Sequence, residues 1–212
     1  MLNRRSLALA LAAAPFFAGS VQAAPPAILS AEDRALVDKA AAYLQGLTQA
    51  RGRFAQTDAR GSRTQGEVMI NRPGRARFAY DPPSGLLVVA DGANVSVSNS
   101  QLKTFDRYPL MATPLSLFLA RQVRLDKSIV ITEVRRAADG FTITARDGSR
   151  RAEGSISLRF SANPLALAGW TVSDAQGQTT QIQLTDFAPT SGLAPGLFEL
   201  KDPHAVRPGR AR

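Results

Sequence analysis

The stretch "MINRPGRARFAY", Met69 to Tyr80, sets the reading of the whole chain. Pro73 and Gly74 mark a corner, because proline presets the turn angle and glycine tolerates the positive φ that commonly follows. Beyond the corner Ala76, Phe78 and Tyr80 alternate with Arg75, Arg77 and Ala79. A period of two places the first set on one face of a strand and the second set on the other. The stretch is therefore a β-hairpin with one dry face, and its corner is crowded by Arg72, Arg75 and Arg77.

The same period recurs downstream. Phe141, Ile143 and Ala145 alternate with Thr142, Thr144 and Arg146, and Ile156, Leu158 and Phe160 with Ser155, Ser157 and Arg159. Turn signals stand at Pro82-Pro83-Ser84-Gly85, Asp91-Gly92, Asp139-Gly140, Asp147-Gly148 and Gln176-Gly177, too close together for crossover helices between most neighbours. The pattern predicts an antiparallel sheet of about ten strands, wide enough to curl on itself. Two helical stretches interrupt it. Ser30 is placed to cap the first, with Asp33 at the capping-box spacing and Leu36, Ala40, Leu44 and Leu47 in one stripe, widened by Val37 and Ala41. Thr113 is placed to cap the second, with Pro114 as its first helical residue and Leu115, Phe118 and Leu119 on one face. Both helices can lie over the apolar concave side of the sheet. Residues 24–203 read as one domain, without repeat or linker, and 204–212 as a basic, frayed tail.

Residues 1–23 read as a signal peptide: Arg4-Arg5 is a positive start, Leu7 to Ala18 an apolar run, and Val21-Gln22-Ala23 a small-residue cleavage site. The arginine pair alone is weak ground for twin-arginine export, so the general secretory route is favoured. No later segment approaches the roughly 20 apolar residues of a membrane span. Cysteine is absent, so apolar burial and hydrogen bonds alone must hold an exported fold. Loss of Arg4 and Arg5 takes the net charge from +9 to +7. Those charges are scattered along strands, not interleaved with stacking aromatics, which argues against nucleic acid. They leave open plain solubility, an anionic lipid surface or an acidic protein partner.

Enzyme classes are thinned by what is missing. His204 in the tail is the sole histidine, which removes Ser-His-Asp triads and, with no cysteine, nearly all zinc patterns. No phosphate-binding glycine fingerprint occurs. Glu153 and Asp147 could pair as carboxylates, but their turn-like, Arg-rich surroundings favour solvated charge. Trp170 reads as a core anchor.

The order of an amphipathic helix, "GRFAQ" (Gly52 to Gln56), "GEVMINRPGRARFAY" (Gly66 to Tyr80), "PPSGLLVVADGANV" (Pro82 to Val95) and the "TPLSLFL" helix resembles the periplasmic outer-membrane lipoprotein carrier family, LolA. The resemblance runs from about Ala31 to Pro203. It implies a mainly β fold with a helical lid (α+β): a half-open, curved antiparallel β-barrel of about ten strands whose concave face is covered by helices. It further implies a monomeric, non-enzymatic periplasmic carrier that shields the acyl chains of lipoproteins. Such a carrier takes them from an inner-membrane ABC-type releasing complex and passes them to an outer-membrane acceptor. No nucleotide, metal or organic cofactor is expected. Lack of cysteine excludes the lipid-anchored acceptor role. The chain departs from the family pattern at Ala76 and at Asn94-Val95-Ser96-Val97, where larger apolar or aromatic residues are commoner.

Strand alternation and helix stripes nominate Phe54, Ile70, Phe78, Ile143, Leu158 and Leu184, with Leu44, Leu115 and Phe118 of the helices, as the lining of one apolar chamber. Taken alone, Arg72 reads as a solvated side chain. The resemblance implies instead that it reaches across the chamber mouth and hydrogen-bonds to the lid. Two other readings stand beside the carrier. One is an exported lipid-binding or envelope-sensing domain of the same fold without a handover role; the other is a hydrolase or scaffold whose apolar sheet face is sealed.

Overall fold

The computed structural model describes residues 26–121, 129–149 and 153–202; the expected leader (1–23) and tail (204–212) lie outside them. Helix α1 (Ala31–Gly46) leads into strands β1 (Gln49–Thr57), β2 (Arg63–Asn71), β3 (Arg75–Tyr80), β4 (Leu86–Asp91), β5 (Asn94–Asn99) and β6 (Thr104–Pro109). A 3-10 turn (Leu110–Ala112) and helix α2 (Leu115–Leu119) follow. The chain then forms β7 (Ile129–Ala137), β8 (Gly140–Asp147), β9 (Ser155–Ala162), β10 (Leu165–Ser173) and β11 (Thr179–Pro189), and ends on a 3-10 turn, Pro195–Phe198. Among the described residues eleven strands make one sheet in the order β6-β5-β4-β3-β2-β1-β11-β10-β9-β8-β7, with every pairing antiparallel. The fold is thus the expected open, curved antiparallel sheet carrying few helices.

The register explains the dry face. Phe78 lies opposite Val68 and Val88, Val88 opposite Val97, and on the other wing Trp170 opposite Ile182 and Leu158, Leu158 opposite Ile143. These inward rows, with Val37, Ala40 and Leu44 of α1 and Phe118 and Leu119 of α2, form one continuous core. Ser30 caps α1 as the spacing predicts, its Oγ accepting from the Asp33 amide at 3.1 Å. Helix α2 starts one residue later than expected, at Leu115 with Pro114 as its N-cap, although the Ser116 amide does donate to the Thr113 carbonyl at 3.0 Å. The Thr113 hydroxyl does not cap it, however; it turns back to donate to the Leu110 carbonyl at 2.8 Å, because the preceding 3-10 turn offers a nearer partner.

Two features of the motifs acquire a reason. Gly52, where β1 shifts register against β11, would drive any Cβ to 2.6 Å from the Phe187 Cα and 2.8 Å from the Asp186 carbonyl oxygen. A side chain is excluded there by backbone, not by a movable neighbour. On the outward face, Arg77, Val89, Ser96 and Arg107 lie opposite one another across β3 to β6. The C-terminal turn packs on β3 and β4, burying Phe198. Arg77 donates to the Leu197 carbonyl at 3.2 Å and Arg107 to the Leu200 carbonyl at 3.1 Å. This strap explains why Val89 and Ser96 are buried although they point away from the core.

Gly52→Ala is expected to lower stability by about 1–3 kcal/mol, the range for forced overpacking, and to reduce the thermal midpoint by several degrees in a melting experiment. An unchanged midpoint would show that the bulge relaxes freely.

Candidate functional site

The site is built where the β2–β3 corner meets the C-terminal ends of both helices. Helix ends leave carbonyls without intrahelical partners, and a cation there also complements the helix dipole. Neither α1 nor α2 has a basic residue in its last turn. Arg72 supplies one from outside: Nη1 donates to the Leu44 carbonyl of α1, and Nη2 donates to the Ala120 carbonyl at 2.5 Å, just past α2. The backbone of the same corner is fixed as well. The Arg72 amide donates to the Thr48 carbonyl and the Gly74 amide to the Leu119 carbonyl, both at 2.8 Å. Gly74 holds a φ of +77°, and its close approach to Gly92 leaves a Cβ only 2.8 Å from that neighbour's Cα.

Arg72 is held at a cost. Its Nε is buried without a hydrogen-bond partner among the described residues, and burial pulls the guanidinium pKa down. A guanidinium still keeps its proton. The result is a charged fork that donates to two neutral carbonyls from a largely buried position.

Beneath this bridge lies an apolar cavity of about 40 Å³ between α1, α2 and strands β7 to β9. Of the residues nominated from the sequence, Leu44, Phe118, Ile143 and Leu158 border it. Phe54, Ile70 and Phe78 are buried in the continuous core beyond it, and Leu115 and Leu184 are half-buried against that core. Val37, Ile131, Ile156 and Phe160 also line the cavity. Ile156 and Phe160 share the alternation of Leu158, so the signal was present; Ile131 precedes a bulge that breaks the β7 pattern. Phe118 stacks on Trp170 with centroids 5.3 Å apart, and Trp170 meets Phe78 edge-on at 6.0 Å. Lid and sheet are thereby joined through the one tryptophan of the chain.

A polar pair sits among these aromatics. The Tyr80 hydroxyl donates to Gln56 Oε1 at 2.5 Å, and burial pushes the phenol pKa up. Asp147, expected to be solvated, is instead buried, its Oδ1 accepting from the Ser149 amide at 2.9 Å; it falls on the inward phase of β8, while Glu153 stays exposed. Among the described residues no three His, Cys, Asp or Glu side chains are placed to hold a metal ion, and no helix is long and apolar enough to cross a membrane. The arrangement offers non-directional apolar burial under a two-point polar clasp.

Comparison with known proteins gives this geometry a family. The chain is 27% identical over 177 residues to an outer-membrane lipoprotein carrier protein of Methylibium petroleiphilum, covering 79% of this chain and 85% of the relative. It is 26% identical over 191 residues to one of Shewanella amazonensis, covering 86% and 90%. Among solved structures, a LolA superfamily protein from Nitrosomonas europaea aligns with a TM-score of 0.44 at 9% identity, over 78% of this chain and 98% of that one. The family model for the outer membrane lipoprotein carrier protein LolA matches residues 45–201, from the end of α1 to the C-terminal strap, and the chain belongs to that family.

Proposed function

We propose that this protein is a periplasmic carrier that buries the acyl chains of lipoproteins between its lid helices and its sheet, and releases them by closing. The observation that carries this reading is the Arg72 fork, which joins the ends of both helices over an apolar cavity. Burying a methylene is worth about 0.8 kcal/mol, so an acyl chain of roughly 15 methylenes costs on the order of 12 kcal/mol to expose to water. A carrier must offset most of that, yet yield the cargo to the next protein.

The closed geometry supports such a cycle. A cavity of about 40 Å³ holds a few waters at most, whereas small-molecule pockets typically span about 300–1,000 Å³. Cargo therefore enters only when the lid moves and the Arg72 bonds break. Hydrogen bonds from a charged donor contribute about 1.5–3 kcal/mol each, and the orphaned Nε offsets about 1–3 kcal/mol of that. The closed form is favoured by roughly one to two decades, enough to bias release without preventing loading. In this reading the donor is an inner-membrane ABC-type releasing complex and the recipient an outer-membrane acceptor. The carrier performs no covalent chemistry and needs no cofactor.

Two outcomes are expected. Trp170 emission should shift when an acylated peptide binds, because entry separates Phe118 from the indole; a fluorescent apolar dye should bind saturably and be displaced by the same peptide. No saturable binding by well-folded protein would count decisively against a carrier. In a two-step assay, loading from inner-membrane vesicles and then handover to purified acceptor, Arg72→Leu should load normally and hand over roughly tenfold more slowly, since the closed form loses its clasp. Normal handover by the folded variant would reduce Arg72 to a packing residue.

A further inference from the structure

The opposite end of α1 carries a second cluster that the chamber and its clasp leave unused. Arg136 lies on β7 opposite Phe141, on the inward phase of the sheet, and reaches the first turn of α1. Its Nε and Nη2 donate to Asp33 Oδ1 at 3.1 and 2.8 Å, Nη2 approaches Ser30 Oγ at 3.4 Å, and Nη1 pairs with Glu32. The Asp33 carboxyl is held below its usual range, chiefly by Arg136. Just before the helix, the Ala27 amide donates to the Ile131 carbonyl of β7 at 2.8 Å.

These contacts fall on the end of α1 that lies away from its junction with β1. The C-terminal end runs through buried Leu47 directly into β1, so it stays tethered whatever Arg72 does. Val37 and Ala40 of α1 face Ile129 and Ile131 of β7 across the cavity. Widening the cavity on that side means lifting the N-terminal half of α1 away from β7.

We propose that Arg136 is a second latch on the lid, fastening the N-terminal end of α1 to edge strand β7 and so setting how readily the chamber opens on that side. The proposal rests on the carrier reading above. The two latches differ physically. Arg72 is part-buried against neutral carbonyls, whereas the Arg136 side chain is 48% exposed and its partners are carboxylates, Glu32 at 77% and Asp33 at 23%. Exposed ion pairs are screened by salt, the screening length falling from about 10 Å at 0.1 M to about 3 Å at 1 M. Opening at the Arg136 end is therefore salt-sensitive, and opening at the Arg72 end is not.

The test combines stopped-flow uptake of an apolar naphthalene dye with hydrogen exchange of the α1 amides, at 0.1 and 1 M potassium chloride. Wild type should take up dye roughly two- to fivefold faster at high salt, with matching faster exchange in the N-terminal half of α1. Arg136→Gln should be fast at both salt concentrations, Arg136→Lys should recover part of the low-salt restraint, and Glu32→Gln, which alters only an exposed side chain, should fall between. Salt-independent uptake in wild type, or α1 exchange unchanged in Arg136→Gln and Glu32→Gln, overturns the proposal. If α1 exchange accelerates as expected while no variant takes up dye, the fastening stands and the chamber reading fails.

Discussion

The guanidinium of Arg72 is the constraint on which the rest of the molecule depends. It is the point where the β2–β3 corner, the end of α1 and the end of α2 are held together, by donation to Leu44 and Ala120. Helix ends expose carbonyls that burial makes costly to leave under-satisfied; Leu44 accepts from the Leu47 amide at 3.2 Å and takes Arg72 as a second donor. An arginine suits the position because its donors are fixed in a plane and can serve two acceptors at once, while lysine offers a single point. The Arg72 Nε finds no partner among the described residues, so the two bonds are made from a position that is partly desolvated.

Packing and polarity then divide the work. Dispersion and hydrophobic burial hold α1 and α2 on the sheet through Val37, Leu44, Phe118 and the Phe118–Trp170 stack. Such contacts are non-directional and set no single orientation of the helices. The directional contacts come from Arg72 at the C-terminal end of α1 and Arg136 at its N-terminal end.

The outside of the sheet is managed separately. Among the described residues, eleven strands in an open order leave β6 and β7 as edges, and edges invite unwanted pairing. The Ala27 amide covers one position on β7. On the convex side the C-terminal strap buries Phe198, anchored by Arg77 and Arg107 through main-chain carbonyls. Of the three arginines at the hairpin corner, Arg72 therefore faces the lid and Arg77 the strap, while Arg75 stays exposed.

Much of this was legible in the residues alone. Strand phase, the Ser30 cap and the dry face of "RARFAY" follow from local periodicity, which needs no knowledge of distant contacts. The inward direction of Phe54, Phe78, Ile143 and Leu158 followed from the same rule. The bonds of Arg72 did not, because an arginine at a corner is indistinguishable from a solvated one by periodicity until the chain brings Leu44, 28 residues before it, and Ala120, 48 residues after it, to the same point. The cavity's place under β7 to β9, the burial of Asp147 and the outward burial of Val89 and Ser96 were equally hidden. Local sequence determined which face of each element is apolar; only tertiary structure decided which apolar faces meet, because that depends on the curvature of a sheet whose first and last strands are far apart in the chain.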